Sequence, residues 1–293
     1  MIDEARPRIV ALVHRLIDRV YASRRMDFIA DFAYQLPAVT MVYLLGVSPA
    51  DQTQVIGWTD DIAKFFGNAN SPIEVAHTAR DALFSLSGYF KKLLEERRAN
   101  PGDDLISLLL QAEESDDMVT ADELAAQCSA LLFAGHETTR NLLGNGLFAL
   151  LNNPEQLALL RSDPSLIPAA VKEMGRFDTP AQLGSRVVGQ SFEMHGQELK
   201  EGQVVIMMFG SANRDPEAFD DPDRLDIRRK GTSSVLFGKG PHFCVGSALA
   251  TAEAEVAFSA ILERLPNVRL AEGDLKRVNN INFRGLQSLP LQF

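Results

Sequence analysis

Residues 237–246 read FGKGPHFCVG and set three glycines and a proline around Cys244, one of two cysteines among 293 residues. Gly238 and Gly240 permit backbone angles closed to other residues and close approach to a flat partner. Gly246 opens the helical sequence SALATAEAEVAF. Cys244 therefore sits at or just before a helix N-terminus, where the dipole and free N–H groups favour a thiolate. A thiolate is a soft ligand suited to iron. A buried structural cysteine and a redox-sensing thiol are the competing readings of the same residues.

A second constellation is AGHETTR at 134–140. An acid and two threonines are poor choices for the middle of an apolar helix. Burying Glu137 costs several kcal/mol unless it is paired, protonated or hydrated, and Gly135 costs about 1 kcal/mol against alanine. Local violations of this kind mark working sites. The plain structural reading is a threonine bonded back to a carbonyl and a surface-facing glutamate. A third pattern is Glu173-Met-Gly-Arg176, whose charged ends lie on one helix face and can pair.

The full spacing Phe-x-x-Gly-x-x-x-Cys-x-Gly, met by Phe237, Gly240, Cys244 and Gly246, resembles the haem-binding signature of the cytochrome P450 family of haem-thiolate monooxygenases. The resemblance implies haem b (iron protoporphyrin IX) as cofactor, Cys244 as axial iron ligand and Phe237 beside the sulfur. A cysteine ligand pushes electron density onto the iron. AGHETTR resembles the family's oxygen-activation motif. Thr138 would then hydrogen-bond dioxygen, Glu137 would relay protons from solvent, and Ala134 and Gly135 would leave room over the ring. Glu173 and Arg176 match the family's Glu-x-x-Arg, and Arg224 in DDPDRLDI occupies the place of the arginine that closes that network behind the haem. Arg186 in GSRVVG and His242 match the partners of the haem carboxylates. The same likeness implies a substrate pocket at Ala130, Leu131, Ala134, Ala181, Gln182, Leu183, Leu286 and Gln287, with a lipophilic small molecule as substrate. It also implies electrons from NAD(P)H, delivered by a ferredoxin or flavodoxin-type donor and its reductase. Arg228, Arg229, Lys230 and Lys239 are candidates for the docking face.

These residues need elements to hold them. The spacing of apolar residues predicts helices over PRIVALVHRLIDRVYAS, over DFIADFAYQLPAVTMVYLLG with a break at Pro37, over AHTARDALFSLSGYFKKLLEERRA and over LISLLLQAEES. Thr120 to Glu123 is a capping box, and the helix it opens runs to Asn152, where NNP stops it. PEQLALLRS and SLIPAAVKEMGRF follow, the second ending near Asp178 because Thr179 precedes Pro180. SRVVG, SFEMHG, QELKEG and QVVIMMF read as short strands and hairpins. The expected fold is mainly α with a minor β-sheet region, in one domain over 1–293: helix-rich to 180, then mixed strand and loop with the haem-binding loop and a final helix.

Composition limits the alternatives. Hydrophobic content of 46% and charged content of 23% suit a globular protein. A net charge of −10 argues against a nucleic-acid partner. MIDEARPRIV has no apolar leader run, the apolar stretches are too short to span a membrane, and two cysteines give no disulfide framework, so the cytoplasm is expected. Against a typical bacterial P450, the likeness begins about a quarter of the way in. The missing part would hold outer strands, the pocket's roof and a basic helix for a haem carboxylate. The expected consequences are an exposed sheet edge and wetted apolar surface. Three readings follow: an active monooxygenase, a shortened haem-binding relative that is weak or inactive, and a fragment set by a misplaced start.

Overall fold

The computed structural model describes residues 2–68, 70–113, 120–231, 234–273 and 275–293. Helix α1 (Ile2–Tyr21) buries Ala5, Ile9, Leu12, Val13, Leu16 and Ile17, one stripe at helical spacing. Strand β1 (Arg25–Asp27) and a π-helical turn (Ile29–Ala33) lead into α2 (Gln35–Leu44). The break expected at Pro37 falls instead at Tyr34. Pro37 lies in the first turn of α2, where a missing N–H costs no helical bond.

Helices α3 (Gln52–Phe65), α4 (Ile73–Ala99) and α5 (Leu105–Glu113) follow. Residues 114 and 115 of the expected fifth helix lie outside the described residues. Helix α6 (Ala121–Leu151) opens on the expected capping box: the Glu123 amide donates to Thr120 Oγ1 and the Thr120 amide donates to the Glu123 carboxylate at 2.7 Å. It is 31 residues long and buried through its middle. Helices α7 (Pro154–Ser162) and α8 (Ile167–Phe177) come next.

The remainder is strand and loop: β2 (Gly184–Val187), β3 (Phe192–Met194), β4 (Gln197–Leu199), β5 (Val204–Met207) and the short α9 (Phe209–Ala212). Helix α10 (Ser247–Arg264), β6 (Arg269–Leu270) and β7 (Pro290–Gln292) close the chain. Among the described residues the strands form three antiparallel sheets, β1-β7-β6, β2-β5 and β3-β4. In β2-β5, Gly184 opposes Met207 and Val187 opposes Val204.

Two apolar clusters meet along α6. One joins α1, α8, α10 and the second half of α6; the other joins α2, α3, α4, α5 and its first half. The fold is thus predominantly helical with small sheets, as expected. Among the described residues no helix is long and apolar enough to cross a membrane.

Candidate active site

Where the two clusters part, a cavity of about 610 Å³ opens between α6, the start of α10, β2, β5 and the cysteine loop. Its wall is largely apolar, with Met41, Leu131, Leu142, Met207, Phe209 and Leu249 among its residues. Cys244 reaches it from one element and Thr138 from another. Arg186, Lys239 and His242 line the same space.

The cysteine loop is held from behind. Gly238 and Gly240 both adopt the left-handed region, at φ 70° and 72°, and curl the chain under the sulfur. The Cys244 amide donates to the Phe237 carbonyl at 2.9 Å and fixes the turn. Phe237 and Phe243 meet edge to face at 6.4 Å. Upstream, the Val235 amide donates to Asn213 Oδ1 at 2.8 Å. A Cβ on Gly175 would lie 2.3 Å from Leu236, so α8 has a glycine where the loop must approach it.

Behind the loop, Arg176 forks onto Glu173 at 2.7 and 2.8 Å, both side chains buried. The remaining Arg176 donors reach the carbonyls of Asn213, Pro222 and Arg224. A bidentate pair with every donor used tolerates burial. The third charge is Arg229, whose Nε donates to Glu173 at 3.0 Å. Arg224, expected there, contributes only its carbonyl. Its side chain is exposed and pairs with Asp221 and Asp226. Arg229 is therefore turned inward and leaves the expected docking patch, while Arg228 and Lys230 remain exposed.

On α6, Thr138 donates to the Ala134 carbonyl at 2.7 Å and lines the cavity beside Ala134 and Gly135. A Cβ on Gly135 would lie 2.7 Å from Met41 Sδ, so the glycine also admits α2 against α6. Glu137 is buried and faces away from the cavity. It accepts from Arg140 at 3.0 Å and from Asn141 at 3.2 Å. The plain structural reading holds in its first half and fails in its second: the threonine bonds back to a carbonyl, but the glutamate is not on the surface.

Two buried groups were not singled out from sequence. Glu253 lines the cavity from α10, and burial pushes its carboxyl up to about 8, partly offset by Thr40. His136 is pushed down to about 4, first by burial and then by the Arg140 charge.

Of the expected pocket, Leu131, Ala134 and Ala181 line the cavity. The others stand elsewhere. Ala130 is solvent-exposed, and Leu183 is half-buried outside the lining. Gln182 donates to the Thr179 carbonyl at 2.6 Å and lines a separate polar pocket. Leu286 is a core residue, and the Gln287 amide is tied to the Lys276 carbonyl. The tail strands turn toward the core rather than the cavity, and Ile2, Ala5 and Leu44 take part in the wall. Of these only Leu44 lay in an expected helix; Ile2 and Ala5 precede the first one read from the sequence.

The lining fits an iron porphyrin: one thiol for the metal, an apolar wall for the ring, and Arg186, Lys239 and His242 for its carboxylates. Among the described residues no His/Cys/Asp/Glu cluster offers a different metal site.

A family model described as "Cytochrome P450" matches residues 65–283. Cytochrome P450 CYP107DY1 of Priestia megaterium is 40% identical over 294 residues, covering 100% of this chain and 71% of the relative. Cytochrome P450 monooxygenase PikC of Streptomyces venezuelae is 37% identical, covering 100% of this chain and 70% of its own length. The crystal structure of P450BioI in complex with an acyl carrier protein ligated to hexadec-9Z-enoic acid superposes with a TM-score of 0.93 at 35% identity, covering 100% of this chain and 75% of that one. Each relative extends beyond the aligned part. Sequence and backbone shape thus lead to the same place as the cysteine loop, and the chain belongs to the cytochrome P450 family of oxidoreductases.

Proposed function

We propose that this chain hydroxylates a lipophilic small molecule, with haem b held through Cys244 and electrons supplied by separate proteins. The observation that carries the reading is that the Cys244 thiol and the Thr138 hydroxyl open onto one apolar cavity of about 610 Å³. Haem held there through Cys244 would supply the oxygen-activating chemistry that the reading requires.

The chain's own residues do the rest. The Phe237–Cys244 turn presents the sulfur to the cavity just before the first turn of α10. Thr138 holds a hydroxyl proton that is shared with the Ala134 carbonyl and can be turned into the cavity. Glu137, one residue away, holds the carboxylate that receives protons from the solvent side. Arg186, Lys239 and His242 orient the cofactor's carboxylates. The apolar wall excludes water and selects an apolar substrate. P450BioI, captured with a fatty acyl chain, supports this class by likeness.

Arg228 and Lys230 are exposed cations on a chain of net charge −10 and suit the acidic face of a ferredoxin or flavodoxin-type donor fed by its reductase from NAD(P)H, while Lys239 lines the cavity. Both cysteines are unpaired, which suits the reducing cytoplasm.

The test is reconstitution with hemin. The reduced carbon monoxide adduct should show the strongly red-shifted band of thiolate ligation, and Cys244→Ser should abolish that band. Substrate-dependent NADPH consumption with surrogate donors then separates an enzyme from a haem-binding relative without turnover. A chain that stays colourless, or a Cys244→Ser protein with the same spectrum, ends the haem-thiolate reading.

A further inference from the structure

A buried polar cluster lies on the side of α6 turned away from the cavity. His136 and Arg140 are one turn apart on that helix, as are Glu137 and Asn141, so the four side chains form two adjacent stacks. Glu137 is joined to Arg140 and Asn141. Among the described residues, three buried polar atoms of the cluster have no partner: His136 Nε2, Arg140 Nε and Asn141 Oδ1. The His136 ring meets the Tyr34 ring edge-on at 4.6 Å, and the Tyr34 carbonyl lies against it. The Tyr34 hydroxyl donates to Asp60 Oδ2 at 2.5 Å, and Asp60 sits on α3, half-buried at the protein's edge.

Buried polar atoms need partners, and an internal water usually takes about three hydrogen bonds from such atoms. Neutral His136 with its other nitrogen toward the Tyr34 carbonyl leaves Nε2 as an acceptor, while Arg140 Nε is a donor. The two roles are complementary, since a water accepts from the one and donates to the other. We propose that Asp60 and Tyr34 form the solvent-side entrance of a proton inlet that passes through water held by His136 Nε2 and Arg140 Nε and ends on the Glu137 carboxylate. The inference rests on the reading that Glu137 relays protons at a P450 site.

Each step conserves charge and protons. A solvent proton binds the Asp60 carboxylate. Asp60 then donates to the phenol oxygen while the phenol gives its own proton to the water, and the water gives one to Glu137. Asp60 suits the first step: burial raises its carboxyl above the ordinary value, and the Glu137 charge adds to this, against the Tyr34 hydrogen bond, Arg140 and Lys64. Tyr34 is kept neutral by burial and by Asp60, so it passes protons without ionising.

The test uses Asp60→Asn and Tyr34→Phe, both near-isosteric, in the full chain. Infrared pH-difference spectra need no cofactor. Taken in a Glu253→Gln background, which removes the other carboxyl that burial holds high, a protonated-carboxyl band titrating above the usual carboxylate range should vanish in Asp60→Asn and shift in Tyr34→Phe. In the hemin-loaded protein both substitutions should slow turnover roughly tenfold and enlarge its solvent deuterium isotope effect, with the carbon monoxide band intact. An infrared band indifferent to both substitutions overturns the inlet. So does an unchanged isotope effect and pH profile alongside a normal carbon monoxide band. Failure of the wild-type chain to give that band would instead strike the haem reading, and the infrared titration would still decide the inlet.

Discussion

At the scale of single residues, the buried carboxyl of Glu253 couples stability to pH. Its folded value is about 8, above the ordinary 4.5 of a solvated glutamate, because burial penalises the ion. A raised folded value means the folded state holds the proton more tightly. The resulting stability is complete below pH 4.5 and declines as pH rises to about 8. The slope in that window is about 1.4 kcal/mol per pH unit for one group. His136 acts in the opposite window: its value is lowered to about 4, so stability is complete above 6.5 and falls as pH drops toward 4. Glu253→Gln, which cannot titrate, should gain on the wild type steadily from pH 5 to pH 8 in urea unfolding, by a few kcal/mol in total. Parallel stability curves for the two proteins across that range would show that Glu253 is not buried as an uncompensated carboxyl.

At the scale of elements, the cysteine loop depends on α8 and on the irregular stretch between α9 and α10. Arg229 and Glu173 tie the two, with side chains 13% and 5% exposed. Glu173 keeps its bidentate Arg176, so Arg229→Ala removes one charged hydrogen bond and the ties to three loop carbonyls and should cost about 2–3 kcal/mol. Arg224 has a side chain 63% exposed, and Arg224→Ala should cost under about 1 kcal/mol. Equal losses in urea midpoints would return the role to Arg224. The two arginines also mark where sequence reading stopped. Glu173 and Arg176 were legible because they lie one turn apart. The third partner comes from a loop whose path no local pattern fixes, and the run IRRKG read as surface charge. The same division holds elsewhere. Helix α6 was legible from Thr120 and Glu123 at one end and Asn152 at the other. Helix α3 was not, because only Val55 and Thr59 are buried on it, and packing on α4 rather than an apolar stripe sustains it. Strand β1 pairs Met26 with Leu291, a contact across nearly the whole chain that three residues cannot announce.

At the scale of the whole molecule, the cavity's β wall is covered on one face only. In the β2-β5 ribbon, Gly184, Arg186 and Met207 turn to the cavity. On the opposite face Val187, Val204 and Ile206 are 68%, 63% and 56% exposed. Among the described residues no third strand joins this ribbon. A two-stranded ribbon is marginal alone, and an open edge beside an apolar face is a template for pairing. The open face and the open edge thus lie on the same ribbon. What opposes self-association is charge, since −10 on 293 residues repels like copies at low salt. Salt shortens that repulsion to about 10 Å at 0.1 M and about 3 Å at 1 M, while leaving the apolar attraction in place. Light scattering by the wild type should then rise with salt and with protein concentration. Val204→Thr with Ile206→Lys puts a hydroxyl and a charge on the outer face and leaves the cavity side untouched, so this rise should be largely suppressed without change in the far-ultraviolet dichroism. If the double variant scatters as the wild type does at 1 M salt, association arises elsewhere, and Phe65, Phe66 and Phe84, each at least 45% exposed on the α3–α4 side, become the surface to alter next.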